Sequence, residues 1–156
     1  MNELDFEYCD FENPAHLVAL ADLLNHYMSD PMGGCPPLGK IDQLRLVDGL
    51  ANHPSALVLF IKYDDVYAGL TTCFVNFSTF KVKPYLYIHD IVVQSDFRGK
   101  GLGRKLMEKL IEISRERDYC KITLEVREDN QAALALYQSL GFADCDPKMY
   151  FWTKTL

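Results

Sequence analysis

A chain of 156 residues, 49% apolar and 24% charged, fits one domain spanning 1–156 with a core of its own. Its net charge of -6 excludes a general nucleic-acid binder, which needs a surplus of Lys and Arg to neutralise phosphates. No apolar run approaches the roughly 20 residues of a membrane span, and Met1 to Asp5 carries no secretory pattern. The five cysteines, Cys9, Cys35, Cys73, Cys120 and Cys145, are odd in number and lack C-x-x-C spacing. That pattern suits free thiols in a reducing cytoplasm rather than a disulfide framework or a metal site.

Residues 3 to 8 alternate enough for a first strand. Asn13-Pro14 opens a helix, with Asn13 as N-cap, and Leu17, Val18, Leu20, Ala21 and Leu24 recur at helical spacing. Ser29 to Pro37 is broken repeatedly by Pro and Gly, so a loop is expected before a second helix over about 40 to 51. That helix carries Ile41, Leu44, Leu46, Val47 and Leu50.

The period then changes. Ala56 to Ile61 is apolar throughout, as in a strand covered on both faces. Asp64-Asp65 makes a turn into a strand from Val66 to Phe77, where Gly69 predicts a bulge or a close backbone approach. Tyr85 to Val93 is the next strand. Regular alternation there puts Tyr85, Tyr87, His89, Ile91 and Val93 on one face and Leu86, Ile88, Asp90 and Val92 on the other. Gly101 to about Arg117 is an amphipathic helix with Leu102, Leu106, Leu110 and Ile113 on its apolar side. Lys121 to Val126 is a strand, Asn130 caps a last helix that Gly141 ends, and Phe142–Cys145 and Tyr150–Thr153 are expected as closing strands. The order predicts an α/β fold: a mixed sheet of about six to seven strands flanked by about four helices.

The turn after Val93 carries the chemistry. A strand ends, Arg98-Gly99-Lys100-Gly101-Leu102-Gly103 follows, and a helix begins. Such a turn aims backbone N–H groups and the positive end of a helix dipole at one point, which suits a pyrophosphate. Glycines let the phosphate approach the backbone, while Arg98, Lys100, Arg104 and Lys105 add positive charge to an acidic chain. The G-K-[ST] of a Walker loop is missing, because Gly101 follows Lys100, and the G-x-G-x-x-G dinucleotide pattern fails at its third glycine.

Arg98-x-x-Gly101-x-Gly103 is similar to the [QR]-x-x-G-x-[GA] signature of the GNAT acetyltransferases. Asn130 to Phe142 resembles that family's N-x-x-A-x-x-x-Y-x-x-x-G-F stretch, through Asn130, Ala133, Tyr137, Gly141 and Phe142. Both occur in the family's order. From Tyr85 to Gly103 the chain looks most like the spermidine/spermine branch, in which two adjacent acids precede Ser-Asp-Tyr-Arg-Gly. Here the second acid is Asp90 and His89 stands in the place of the first.

The resemblance implies acetyl-CoA as co-substrate, CoA as product and an amine as acceptor, with a homodimer expected. Its pantetheine arm would pair with Ile91, Val92 and Val93 in a gap between two parallel strands. Its pyrophosphate would sit on Gly99, Lys100, Gly101, Leu102, Gly103 and Arg104, with Arg98 among the cofactor-binding residues. Asn130 and Ala133 would approach the cofactor, and Tyr137 would stand near the thioester sulfur as proton donor. His89 and Asp90 would handle the amine proton. Asp30 on the loop and Tyr87 are candidates for substrate contact. The acceptor is expected to be a small-molecule primary amine. A protein or peptide amine, or a regulatory domain that binds acetyl-CoA without turnover, are the alternatives.

Overall fold

The computed structural model describes residues 2–156. They fall into two compact units, Met1–Glu125 and Val126–Leu156. The first holds strands β1 (Leu4–Tyr8), β2 (Ala56–Tyr63), β3 (Val66–Ser78), β4 (Lys83–Val93) and β5 (Ile122–Leu124), with helices α1 (Pro14–Ser29), α2 (Lys40–Ala51) and α3 (Leu102–Glu116). The strands form one sheet in the order β1-β2-β3-β4-β5. The first three pairings are antiparallel and β4 to β5 is parallel, so the sheet is mixed as expected.

Local chemistry explains the elements. Asn13 Oδ1 accepts the Ala15 N–H at 3.0 Å and Pro14 takes the first helical position, so α1 starts where its capping pair dictates. Asp64 and Asp65 both adopt positive φ, 49° and 63°, as a two-residue hairpin turn of right-handed twist requires. β2 is buried on both faces: Leu57, Val58, Leu59, Phe60 and Ile61 are all at most 6% exposed. Val58 and Phe60 join Leu20, Leu23, Leu24, Leu50, Leu70 and Val92 in a core beneath α1 and α2. The opposite face meets α3, whose Leu102, Leu106, Met107, Leu110 and Ile113 are buried. Val18, Ile41 and Leu44, which share the apolar spacing of α1 and α2, are instead exposed.

Gly69 shows both expected features. The β2–β3 register passes from Ile61↔Gly69 to Lys62↔Tyr67, leaving Ala68 as an extra residue. A Cβ on Gly69 would lie 2.5 Å from the Val92 carbonyl oxygen, so only glycine lets β3 and β4 approach this closely.

The second unit contains α4 (Gln131–Ser139). Asn130 Oδ1 accepts from the Ala133 N–H at 3.2 Å. Gly141, at φ 89°, ends the helix: its N–H reaches Gln138 O and the Phe142 N–H reaches Tyr137 O, both at 3.0 Å. This is a Schellman arrangement, completed by the Tyr137–Phe142 ring contact at 6.1 Å. The strands expected over Phe142–Cys145 and Tyr150–Thr153 do not form, so the described sheet has five strands rather than six or seven. Strand propensity is realised only where a neighbouring strand pairs and one face is buried. Here Tyr150, Phe151 and Trp152 are all exposed, and no described strand pairs with them. No helix among the described residues is long and apolar enough to cross a membrane.

Candidate active site

The first site element is an irregularity in β4. Its register with β3 runs Thr72↔Asp90 and then Cys73↔Ile88, so His89 is an extra residue with no partner. A bulge shifts the side-chain alternation by one. Tyr87 lies opposite Phe74, which packs on the α1/α2 core, and Val92 lies in that same core. Residues five apart share a face only because the bulge intervenes. Asp90, opposite Thr72, therefore falls on the face of Tyr87. The regular alternation expected from the sequence is corrected at this point: Asp90 and Val92 cross to the Tyr87 side, while Ile91 and Val93 turn toward α3.

The bulge gathers polar groups. His89 is exposed, with its ring 6.0 Å from Phe74 and 5.7 Å from Tyr87. The Tyr87 hydroxyl donates to Glu125 Oε1 at 2.7 Å and lies 3.1 Å from His89 Nδ1. Burial, and then the hydrogen bond to Glu125, push the Tyr87 phenol up to about 12, so it remains a donor at neutral pH. Asp90 is held from β3: Thr72 Oγ1 donates to its carboxylate, and Thr71 Oγ1 donates to its carbonyl at 2.8 Å. Glu125 and the two threonines were missed in the sequence. For Glu125 a signal existed, since it is the one charged residue from Ile122 to Val126, two residues beyond the Thr123 that pairs with Tyr87.

The second element is a parting of strands. β4 and β5 pair only at Leu86↔Ile122, Tyr87↔Thr123 and Ile88↔Leu124. β5 then ends, whereas β4 continues to Val93. From His89 onward β4 keeps β3 on one side and has no described strand on the other. An edge of this kind offers N–H and C=O groups to an extended ligand.

The third element is the turn that follows. A 3₁₀ turn over Ser95–Phe97 leads to Gly99 at φ 76° and Gly101 at φ 78°. Gly101 precedes α3 in the left-handed conformation, and no side chain caps that helix start. The N–H groups of a first helical turn have no intrahelical acceptor, and the dipole makes the position electropositive. A Cβ on Gly99 or Gly101 would meet nothing within 4 Å, so these glycines answer a backbone requirement and leave the approach open. Lys100 Nζ stands 5.1 Å over the Tyr63 ring, and Lys105 pairs with Glu108 at 3.3 Å.

Arg98 connects this turn to the loop between α1 and α2. Its Nη2 meets Asp30 Oδ2 at 2.7 Å and its Nε donates to Val93 O at 3.3 Å. The Asp30 carboxyl is held below its ordinary value by the Met32 N–H and then by Arg98. Asp30, a candidate for substrate contact, thus has Arg98 as its partner. The loop itself is tied down, with Cys35 N–H on Met28 O at 3.1 Å and Leu38 N–H on Asn25 Oδ1 at 2.9 Å. His26, which the sequence gave no role, accepts the Ser95 N–H at 3.2 Å. In the second unit, Asn130 and Ala133 form the start of α4, and Tyr137 lies on the same helix, 7% exposed.

A parted pair of parallel strands, a bulge at the parting and a glycine turn into an uncapped helix now lie in sequence along one sheet edge. A profile of the acetyltransferase (GNAT) family matches residues 17–142. The chain belongs to the GNAT acetyltransferase family. A [ribosomal protein bS18]-alanine N-acetyltransferase of Escherichia coli (strain K12) is 40% identical over 68 residues, 44% of this chain and 46% of that protein. A thialysine N-epsilon-acetyltransferase of Bos taurus is 32% identical over 76 residues, 49% of this chain and 44% of that protein. The matches thus span less than half the length of these curated relatives. Among solved structures, an aminoglycoside acetyltransferase from an uncultured soil metagenomic sample shares the fold, with TM-score 0.80 and 19% identity over 98% of this chain and 96% of that one. GNAT membership holds for the α/β core from α1 to the end of α4; the spermidine/spermine branch is not singled out by these relatives.

Proposed function

We propose that this GNAT member is an acetyl-CoA-dependent N-acetyltransferase that acetylates a primary amine of a small molecule by direct attack. The observation that carries this reading is the bulge at His89 where β4 loses β5, because it sets a titratable side chain beside an open strand edge. The uncapped α3 start and the open space at Gly99 and Gly101 fit a pyrophosphate. Gly99, Lys100, Gly101, Leu102, Gly103 and Arg104 would hold it together with Arg98, for which CoA would compete with Asp30, and the exposed edge of Ile91, Val92 and Val93 would hold the pantetheine arm. Asn130 and Ala133 complete the proposed cofactor set. When bound, acetyl-CoA would supply an acyl carbon activated by a thiol leaving group.

The chain's own residues would manage two protons. A lysine-like amine has a pKa of about 10.4, so only about one molecule in a few thousand is neutral at pH 7. His89 would take the amine proton, since histidine titrates near neutrality. Asp90, turned by the bulge to the Tyr87 face, would favour a cation there. Tyr137 would donate a proton to the departing sulfur.

A second reading, transfer to the α-amine of a protein, draws on the bS18-alanine relative. The test is acetyl-CoA consumption with polyamines, amino acids, aminoglycosides and short peptides, with product masses measured. Acetylated small amines are expected. Acetylated peptides alone would favour the second reading, and CoA binding without turnover of any acceptor would make the domain a sensor. Sedimentation would show the homodimer that belongs to the same proposal.

A further inference from the structure

Three polar side chains stand in line at the bulge: Glu125, Tyr87 and His89. A phenol has one hydrogen to give. Glu125 as a carboxylate can only accept, and it lies 2.7 Å from the Tyr87 oxygen, so the phenolic hydrogen goes to Glu125. The Tyr87 oxygen is then an acceptor toward its other neighbour, His89 Nδ1 at 3.1 Å. That contact is a hydrogen bond only if Nδ1 carries the hydrogen. In a neutral imidazole the lone pair is then on Nε2.

We propose that Tyr87 and Glu125 act as positioning residues that fix His89 as its Nδ1–H tautomer and so make Nε2 the proton acceptor. The catalytic part rests on the reading of His89 as the base. In the transfer, Nε2 gains the proton that the amine loses, and the hydrogens on Nδ1 and on Tyr87 stay in place. The Glu125 charge, passed through Tyr87, stabilises the imidazolium that results. The phenol suits this post because burial pushes it up to about 12, so it neither ionises nor loses its hydrogen near neutrality. The other groups facing His89 do not compete for Nδ1. Asp90 is engaged by Thr72, and Phe74 from β3 presents a ring, which also carries His53 at 4.7 Å.

The tautomer is measured in the protein alone, by ¹⁵N NMR of the imidazole nitrogens at a pH where His89 is neutral. Nδ1 is expected as the hydrogen-bearing nitrogen and Nε2 as the bare one. Tyr87→Phe should mix or reverse that pattern. It should also lower kcat/KM about 10- to 100-fold, the size of effect seen when a histidine held at a metal loses its orienting partner. The ascending limb of the pH profile should move to lower pH, because the imidazolium loses its stabilising chain. Glu125→Gln should keep the tautomer, since an amide oxygen still accepts from Tyr87, and should shift the limb in the same direction. A hydrogen found on Nε2 in the unaltered protein overturns the proposal without recourse to any variant. So does a Tyr87→Phe spectrum that matches it. If the tautomer is as stated but the limb survives in His89→Gln, the histidine is not the base, and the tautomer assignment stands by itself.

Discussion

Gly69→Ala would add a single methyl group where the β4 backbone lies tight against β3. Its Cβ would lie 2.5 Å from the Val92 carbonyl oxygen, 3.2 Å from Ile61 Cγ2 and 3.5 Å from Leu106 Cδ1. Ordinary contact begins at 3.4 Å, so the first of these is short by almost 1 Å, and the obstructing atom is backbone. A flexible side chain could swing away, but a carbonyl held in the β3–β4 ladder moves only with its strand. Overpacking of this kind costs about 1–3 kcal/mol. For a chain of this size each kcal/mol lowers Tm by about 2–4 °C, so a fall of about 2–12 °C is expected. Gly49→Ala is the control: nothing lies within 4 Å of its Cβ, and alanine inside α2 should raise stability by about 0.5–1 kcal/mol. Thermal unfolding of both, with CoA titrations, separates the two effects. The displaced carbonyl belongs to β4, whose other side is the edge proposed for the pantetheine arm, so CoA affinity should fall in Gly69→Ala and hold in Gly49→Ala. A Gly69→Ala protein as stable as the parent would refute the reasoning, because β4 would then have yielded at no cost.

Gly101→Asp puts a carboxylate into the open space before α3 at a left-handed position that aspartate tolerates, so circular dichroism should show the fold intact while calorimetry shows CoA binding lost. Unchanged affinity would move the pyrophosphate site elsewhere. Tyr137→Phe should lower kcat by about 10²–10⁴-fold with little change in acetyl-CoA affinity, and a parental kcat would leave Tyr137 as a packing residue. Asp30→Asn removes the anion that holds Arg98 at 2.7 Å. An exposed ion pair is worth about 0.2–1 kcal/mol, so releasing Arg98 should tighten CoA binding about 1.4- to 5-fold at low salt, and equal or weaker binding would count against competition for Arg98. Because the Asp30 carboxyl is held below its ordinary value, the contact is present at neutral pH and lost only as pH falls through that lowered value. The difference between variant and parent should therefore persist down to the edge of the carboxylate range.

Much of the fold was legible where local chemistry and pattern agree. Asn13-Pro14, the Asp64-Asp65 turn, the unbroken apolar run of β2 and the Asn130 and Gly141 caps each act within a few residues, so their structural outcome can be read from the chain. The closing strands were misread because apolar and aromatic residues such as Tyr150 to Trp152 form a strand only beside a partner, and a pattern of residues does not name the partner. At the site, the glycine turn was visible because positive φ selects glycine at Gly99 and Gly101. The polar line from Glu125 to His89 was not. It depends on the register Tyr87↔Thr123 and on a bulge that inserts a bonded histidine without altering residue type on either side.

That bulge also marks a place where β4 can change length. Removing His89 would leave every flanking side chain chemically unchanged and would restore an uninterrupted β3–β4 ladder. Ile88↔Cys73 and Asp90↔Thr72 are already consecutive pairs, so the side chains on both sides would keep their partners and their faces. Leu86, Ile88 and Val92, at most 3% exposed, would stay in their present layers. Removing Ile88 instead would draw His89 into the buried place opposite Cys73, so the strand tolerates loss at the bulge and not beside it. The extra residue is thus carried for the side chain it presents, and a chain lacking His89 should keep this core while losing the proposed base.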